Sequence, residues 1–359
     1  MIRWRRGETL RVRNAWPGAV ELDVRIDGEE RRALAYPALV GRPEPGDEVL
    51  LNTTALAMGL GTGGYALVAA VPGRLPDDPS GPGHLVKARY TPLQATVQGA
   101  DEQDSPHHET LRDADDIGGM PVVTADLHSA LPAIIAGLHL DRPGTRVVYV
   151  MLDGGALPAW FSRTVAGLRE AGALVATVST GQSFGGDLEA VTVHTGLLAA
   201  RHVLGAEVAV VAQGPGNLGT GTRWGFSGVS AGEAVNATAA LGGRPVASLR
   251  VSEADARERH YGVSHHSLTA YGRVALARAT VPVPRLDGEF GARVAEQAAA
   301  LAGRHDLVAV DVDGLDDALA ASPVRLSTMG RGLAEDRASF VAAAAAGRQA
   351  AAMCGPDGR

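Results

Sequence analysis

The chain is poor in lysine: Lys87 is its single example, and arginine carries the rest of the side-chain positive charge. There is one cysteine, Cys354. No intrachain disulfide can form, so a reducing compartment is expected. Aromatic residues are only 4% of the chain, which leaves few rings to stack on a base or sugar. No run of about 18 apolar residues occurs, which excludes a transmembrane helix. No apolar segment follows the charged start Met1–Arg6, so no signal peptide is expected and the cytoplasm is the simplest location. An excess of positive charge is also missing. The net charge is −7, which argues against nucleic acid as a partner. The one basic cluster, Arg3, Arg5, Arg6, Arg11 and Arg13, is explained by a solvated face of N-terminal strands.

What is present is a chain of 359 residues with 45% hydrophobic content, enough for two domains. Residues 1–98 read as a small domain, with short strands over 1–70 and a loose Pro/Gly-rich stretch over 72–83. Leu10 and Val12, then Val20, Leu22, Val24 and Ile26, alternate with polar residues, as half-buried strands do. Asp27-Gly28 marks a hairpin turn, and Pro45-Gly46-Asp47 turns into Glu48–Asn52. A small all-β barrel or sandwich is expected. The glycine cluster from Gly59 to Gly64 reads as a hairpin connection. Residues 99–119 are acidic and polar and read as an exposed linker.

From residue 120 the pattern changes. Continuous apolar runs at Val122–Leu127, Arg146–Leu152, Leu174–Ser179, Val208–Ala212, Val246–Val251 and Leu307–Val312 alternate with helical stretches. The helices expected lie near Ser129–Leu138, Ala156–Ala171, Asp187–Leu204, Ser230–Leu241, Leu268–Ala279, Gly288–Ala302 and Ala334–Met353. Unbroken apolar strands joined by helices predict a doubly wound α/β domain over 120–359 with a mostly parallel sheet.

Ligands of such sheets bind outside the carboxyl ends of the strands, so the residues just after each strand are the informative ones. The richest segment follows the fourth strand: Gly214, Gly216, Asn217, Gly219, Thr220, Gly221, Thr222 and Arg223. Its glycines allow backbone N–H groups to approach an anion, and Arg223 can clamp a phosphate or carboxylate. It matches neither a P-loop nor a dinucleotide fingerprint. Gly181, Gln182 and Ser183 follow the third strand, and Asp187 after them reads as a helix cap.

Eleven histidines are present. Asp126, His128 and Asp153 fall at strand ends, and His265-His266 lies where a helix should begin. These five are the candidates for acid–base chemistry. Asp126, His128, Asp153 and His265 are also the candidates for a divalent metal such as Zn²⁺ or Mn²⁺. Adjacent side chains such as His265 and His266 are not expected to share one ion. His194 and His202 read as ordinary helical histidines, and His107-His108 as solvent-exposed. No serine sits in a nucleophile elbow. Trp160, Trp224, Phe226 and Tyr261 are the aromatic residues near these loops.

The segments Asp153–Pro158, Gly214–Arg223 with Gly225–Gly228, and Arg259–Thr269 together resemble a bacterial family of the domain-of-unknown-function kind, over the whole length. The resemblance implies one functional unit and carries no activity or cofactor. From the residues themselves, the expectation is a hydrolase or group transferase acting on a phosphorylated or nucleotide-like small molecule. A non-catalytic small-molecule-binding regulator and an oligomeric scaffold are the alternatives. The partner expected is a small anionic molecule, with no nucleic acid, no membrane, and room for a homo-oligomer.

Overall fold

The computed structural model describes residues 1–60 and 63–355. Gly61 and Thr62, in the middle of the glycine cluster of the small domain, lie outside the described residues. The chain forms two compact units. One comprises Met1–Val97 with Trp160–Ala166, and the other Gln98–Ala159 with Gly167–Arg359.

The first unit is a closed five-stranded barrel, formed by Trp4–Trp16, Ala19–Ile26, Glu29–Ala35, Ala66–Ala70 and Glu48–Asn52 in that spatial order. Val20, Leu22, Val24 and Ile26 point into its core with Ala33, Val49, Leu51 and Val68. Asp27 and Gly28 both have left-handed φ values, 51° and 86°, as a two-residue hairpin demands. The first strand pairs with Ala19–Ile26 through one half and with Glu48–Asn52 through the other, which closes the barrel. Register shifts after Thr9 and Val12 let it bend between them. The arginine cluster is matched by carboxylates on neighbouring strands. Arg5 meets Asp27 at 2.9 Å, and Arg11 and Arg13 reach Asp23 at 2.6 and 3.2 Å.

The helix expected over Ala156–Ala171 is broken. A short turn, Ala159–Phe161, precedes a helix that begins only at Arg163. Trp160 and Phe161 pack with Ala19, Leu34, Tyr36 and Tyr65 of the barrel unit. The Trp16 indole donates to the Trp160 carbonyl at 2.7 Å. Packing of these two large, partly buried rings overrides the local helical pattern.

The second unit carries an eight-stranded parallel sheet. Its order is Leu188–Glu189, Ala176–Ser179, Val147–Leu152, Val208–Gln213, Pro121–Thr124, Arg244–Ala247, Thr280–Pro284 and Asp306–Val310. The central strands are wholly buried. Two strands were not expected. Leu188–Glu189 occupies the edge where a helix was predicted, so that helix starts at Val193, capped by the Thr192 side chain. Asp187 is therefore no cap; it accepts from the Thr177 N–H and from Arg169. Thr280–Pro284 holds two prolines, which argue against an interior strand. Its ladder toward Arg244–Ala247 is limited to the pair Val246 and Thr280. There the missing N–H groups cost little.

Residues 99–119 are not an exposed linker. Ala100, Leu111 and Ile117 are buried in the core of the second unit, so a few apolar anchors outweigh the polar composition. The predicted helix Leu268–Ala279 is replaced by a short helix, His265–Thr269, running into a π-helical turn, Ala270–Val274. The C-terminal helix Arg337–Met353 crosses the helix Leu131–Asp141 closely; Ala342–Ala346 are buried along it. No helix among the described residues is long and apolar enough to cross a membrane.

Candidate functional site

Because the sheet is parallel, Thr124, Leu152, Ser179, Gln213 and Ala247 end at one rim, and the loops after them leave from it. The chain passes from Pro121–Thr124 to Val147–Leu152 across a position that Val208–Gln213 fills later. Strand order reverses here, the place where such sheets open a crevice.

Asp126 follows the first of these strands and is buried. Its Oδ2 lies 3.4 Å from His266 Nδ1 and 3.6 Å from Arg250. Arg250 in turn lies 3.1 Å from His266 Nδ1. Burial alone pushes the Asp126 carboxyl up, but His266 and the Arg250 charge outweigh it and hold the carboxyl below its ordinary range. Asp126 is thus an anion. Its Oδ2 nevertheless has no geometrically sound hydrogen bond among the described residues.

His266 is fixed from the other side by Phe226, whose ring stacks on it with centroids 3.8 Å apart and planes 4° from parallel. Ser264 caps the short helix, its hydroxyl accepting from the His266 N–H at 3.2 Å. The same hydroxyl lies 2.8 Å from His260 Nδ1. His260, His265 and His266 therefore converge, each offering a ring nitrogen, with these atoms within 4.8 Å of one another. The expectation that His265 and His266 diverge does not hold. At the start of a helix successive side chains turn by about 100°, not the 180° of a strand. Their ring centroids lie 4.5 Å apart. Burial and neighbouring positive charges, Arg250 first for His260 and His266 first for His265, depress the two imidazoles to about 3 and about 4. Both are neutral at pH 7.

The glycine-rich loop lies on the same rim. Gly221, Arg223, Arg259, His265 and Arg273 line one open depression of about 620 Å³. None of the three arginines forms an ion pair with a carboxylate among the described residues. The loop is held rigid by its own groups. Asn217 Oδ1 accepts from Gln213 and Ser227, Thr220 N–H donates to the Gly225 carbonyl, and Thr222 Oγ1 accepts from Gly225 N–H. Gly214 is buried and Gly216 and Gly219 are exposed along the same turn.

Other predicted residues lie elsewhere along the rim. His128 is buried against the Tyr149 hydroxyl at 3.1 Å, and burial lowers its pKa to about 4. Asp153 is exposed and accepts from the Gln182 N–H at 2.9 Å, with Gly181 against its carboxylate. Ser183 is buried and donates to the Thr180 carbonyl at 2.8 Å. Neither His128 nor Asp153 belongs to the histidine cluster. Trp224 is exposed, Tyr261 packs on Phe290, and Trp160 belongs to the barrel unit. The helical reading of His194 and His202 agrees with their place in Val193–His202. Sequence reasoning missed Arg250, whose side chain is 8% exposed. Its signal is a lone charge inside the apolar run from Pro245 to Val251.

A model of a protein family of unknown function, DUF3866, matches residues 32–347. The chain belongs to the DUF3866 family. No curated protein matches it. The matched range spans the last two barrel strands, the end of Glu29–Ala35 and the whole parallel sheet of this DUF3866 protein. It also contains Asp126, the glycine-rich loop and all three clustered histidines.

Proposed function

We propose that this DUF3866 protein is a hydrolase or group transferase acting on a small phosphorylated or nucleotide-like molecule at the strand carboxyl rim. The observation that carries this is the depression in which Arg223, Arg259 and Arg273 surround His265. Three guanidinium groups without carboxylate partners among the described residues create a positive field suited to phosphate oxygens. The imidazoles of His260 and His265 are neutral and present nitrogen lone pairs. Those can take a proton from water or hold a cation that acidifies it. The buried Asp126 anion supplies a fixed negative charge behind them. Cys354, partly buried and unpaired, supports a reducing, cytoplasmic setting.

The test is a panel of phosphate monoesters, nucleotides and their uncharged analogues, read by phosphate release and by thermal shift of the full chain. Arg223→Ala and Arg259→Ala are expected to weaken anionic ligands by about tenfold or more each, as loss of a charge-assisted contact implies, while leaving the fold intact. Binding without turnover supports the regulator instead. Equal affinity for charged and uncharged analogues, or affinity unchanged in both variants, refutes the anion site.

A further inference from the structure

We propose that His260, His265 and His266 form a three-imidazole site for a divalent transition metal of the Zn²⁺ class, with Asp126 and Ser264 orienting two of the ligands. The inference concerns the same rim as the proposed function and rests on its placement there, but its test needs no anion.

Geometry carries it. Imidazole nitrogens bind Zn²⁺ at about 2.0–2.1 Å, which puts each ring centroid about 3.2 Å from the ion. At the tetrahedral angle of about 109° such centroids stand about 5.2 Å apart, and closer where a fifth ligand narrows the angle. The three rings stand 4.9, 5.0 and 4.5 Å apart. Oxygen atoms also stand near the second nitrogens of two of the rings. Metal-bound imidazoles usually have the other ring nitrogen held by a carboxylate or another oxygen. His266 Nδ1 faces Asp126 Oδ2, and His260 Nδ1 faces Ser264 Oγ. Each Nε2 is then left for the ion. His265 Nε2 is buried and has no hydrogen-bond partner among the described residues. Asp126, 5% exposed, has an oxygen without a hydrogen bond that faces this cluster. A metal on His266 would fix the proton on Nδ1 and satisfy that oxygen. Arg250, 3.1 Å from Nδ1, is the competing contact, and it can turn to the Asp126 carboxylate instead.

Three protein ligands leave coordination positions for water or substrate, the arrangement of catalytic rather than structural zinc. His265 lines the arginine depression, so an open position there would face a bound phosphate.

The experiment is titration of the full chain, first stripped by a chelator, with Zn²⁺ alone and with Co²⁺ alone. One equivalent of Zn²⁺ per chain is expected, and Co²⁺ should give a visible band of low coordination number. His260→Gln and His265→Gln should each weaken Zn²⁺ at least 100-fold. Asp126→Asn, which touches no ion, should weaken it about 10–100-fold. His194→Gln, an exposed helical residue, should leave binding unchanged. Less than about a tenth of an equivalent bound, or affinity unchanged in both ligand variants, overturns the site. If either variant fails to fold, the unmodified protein decides, because absence of the Co²⁺ band also overturns it. Failed metal binding with Arg223-dependent phosphate binding intact removes the metal alone. The converse removes the anion site alone.

Discussion

Replacing Asp126 by asparagine keeps the shape of the side chain and removes one charge from the middle of the site. Asp126 and Arg250 have side chains 6% and 8% exposed and stand 3.6 Å apart. At an effective dielectric constant near 20, that attraction is worth about 4–5 kcal/mol before desolvation is counted. Removing one member of a buried pair typically costs about 3–5 kcal/mol, because the other charge stays buried without compensation. Asp126→Asn should therefore destabilise the second unit by about 3–5 kcal/mol. For a unit of that size this is a fall in Tm of roughly 6–20 °C. Replacing both charges, as in Asp126→Asn with Arg250→Met, should recover most of the loss, since no orphaned charge remains. Calorimetry and urea unfolding of the four proteins give the interaction energy directly. The pH dependence has a definite sign. The Asp126 carboxyl is held below the ordinary 3.8, so its stabilisation is complete above that value and is lost as pH falls through the lower, folded value. Asp126→Asn should lack that acid loss. A single-variant cost under about 1 kcal/mol, or a double variant no better than the single, refutes the buried pair.

Further outcomes concern the scaffold under the site. A β-carbon at Gly347 would stand 1.8 Å from the Ile134 carbonyl oxygen and 2.8 Å from Leu138 N. Both are backbone atoms that cannot swing aside, so Gly347→Ala should force the crossing helices apart and cost about 1–3 kcal/mol or more. A Tm unchanged within error would show the crossing to be looser than described. The Tyr149 hydroxyl links His128 to the Ala212 and Gln213 carbonyls. Tyr149→Phe should cost about 1–3 kcal/mol by chemical denaturation, and loss of less than half a unit would deny the bridge any role.

The architecture was legible because its signals are periodic. Alternation at Val20, Leu22, Val24 and Ile26 marked the barrel, and unbroken apolar runs marked the parallel strands. Thr280–Pro284 was not legible, because its two prolines argue locally against a strand and only sheet pairing overrides them. Trp160-Phe161 lay inside a helical pattern, and the rings that break it, Tyr36 and Tyr65, are distant in sequence. Within the site, His265, His266, Asp126 and Arg223 were identifiable from their place after strands. His260 stood in the same quoted segment but could not be singled out, since its convergence depends on the turn ending at Ser264. Arg250 was hidden for a related reason: a charge in an apolar run signals burial with a partner, but not which one.

The seven residues Trp160–Ala166 have a practical consequence. The peptide that completes the barrel's aromatic cluster is translated long after the barrel's own strands, inside the sequence of the larger unit. No single cut separates the two units cleanly. A fragment ending at Val97 should surface with Tyr36 and Tyr65 uncovered and a tendency to stick to itself. During synthesis the aromatic cluster beside the barrel must wait for some sixty further residues before Trp160 and Phe161 arrive.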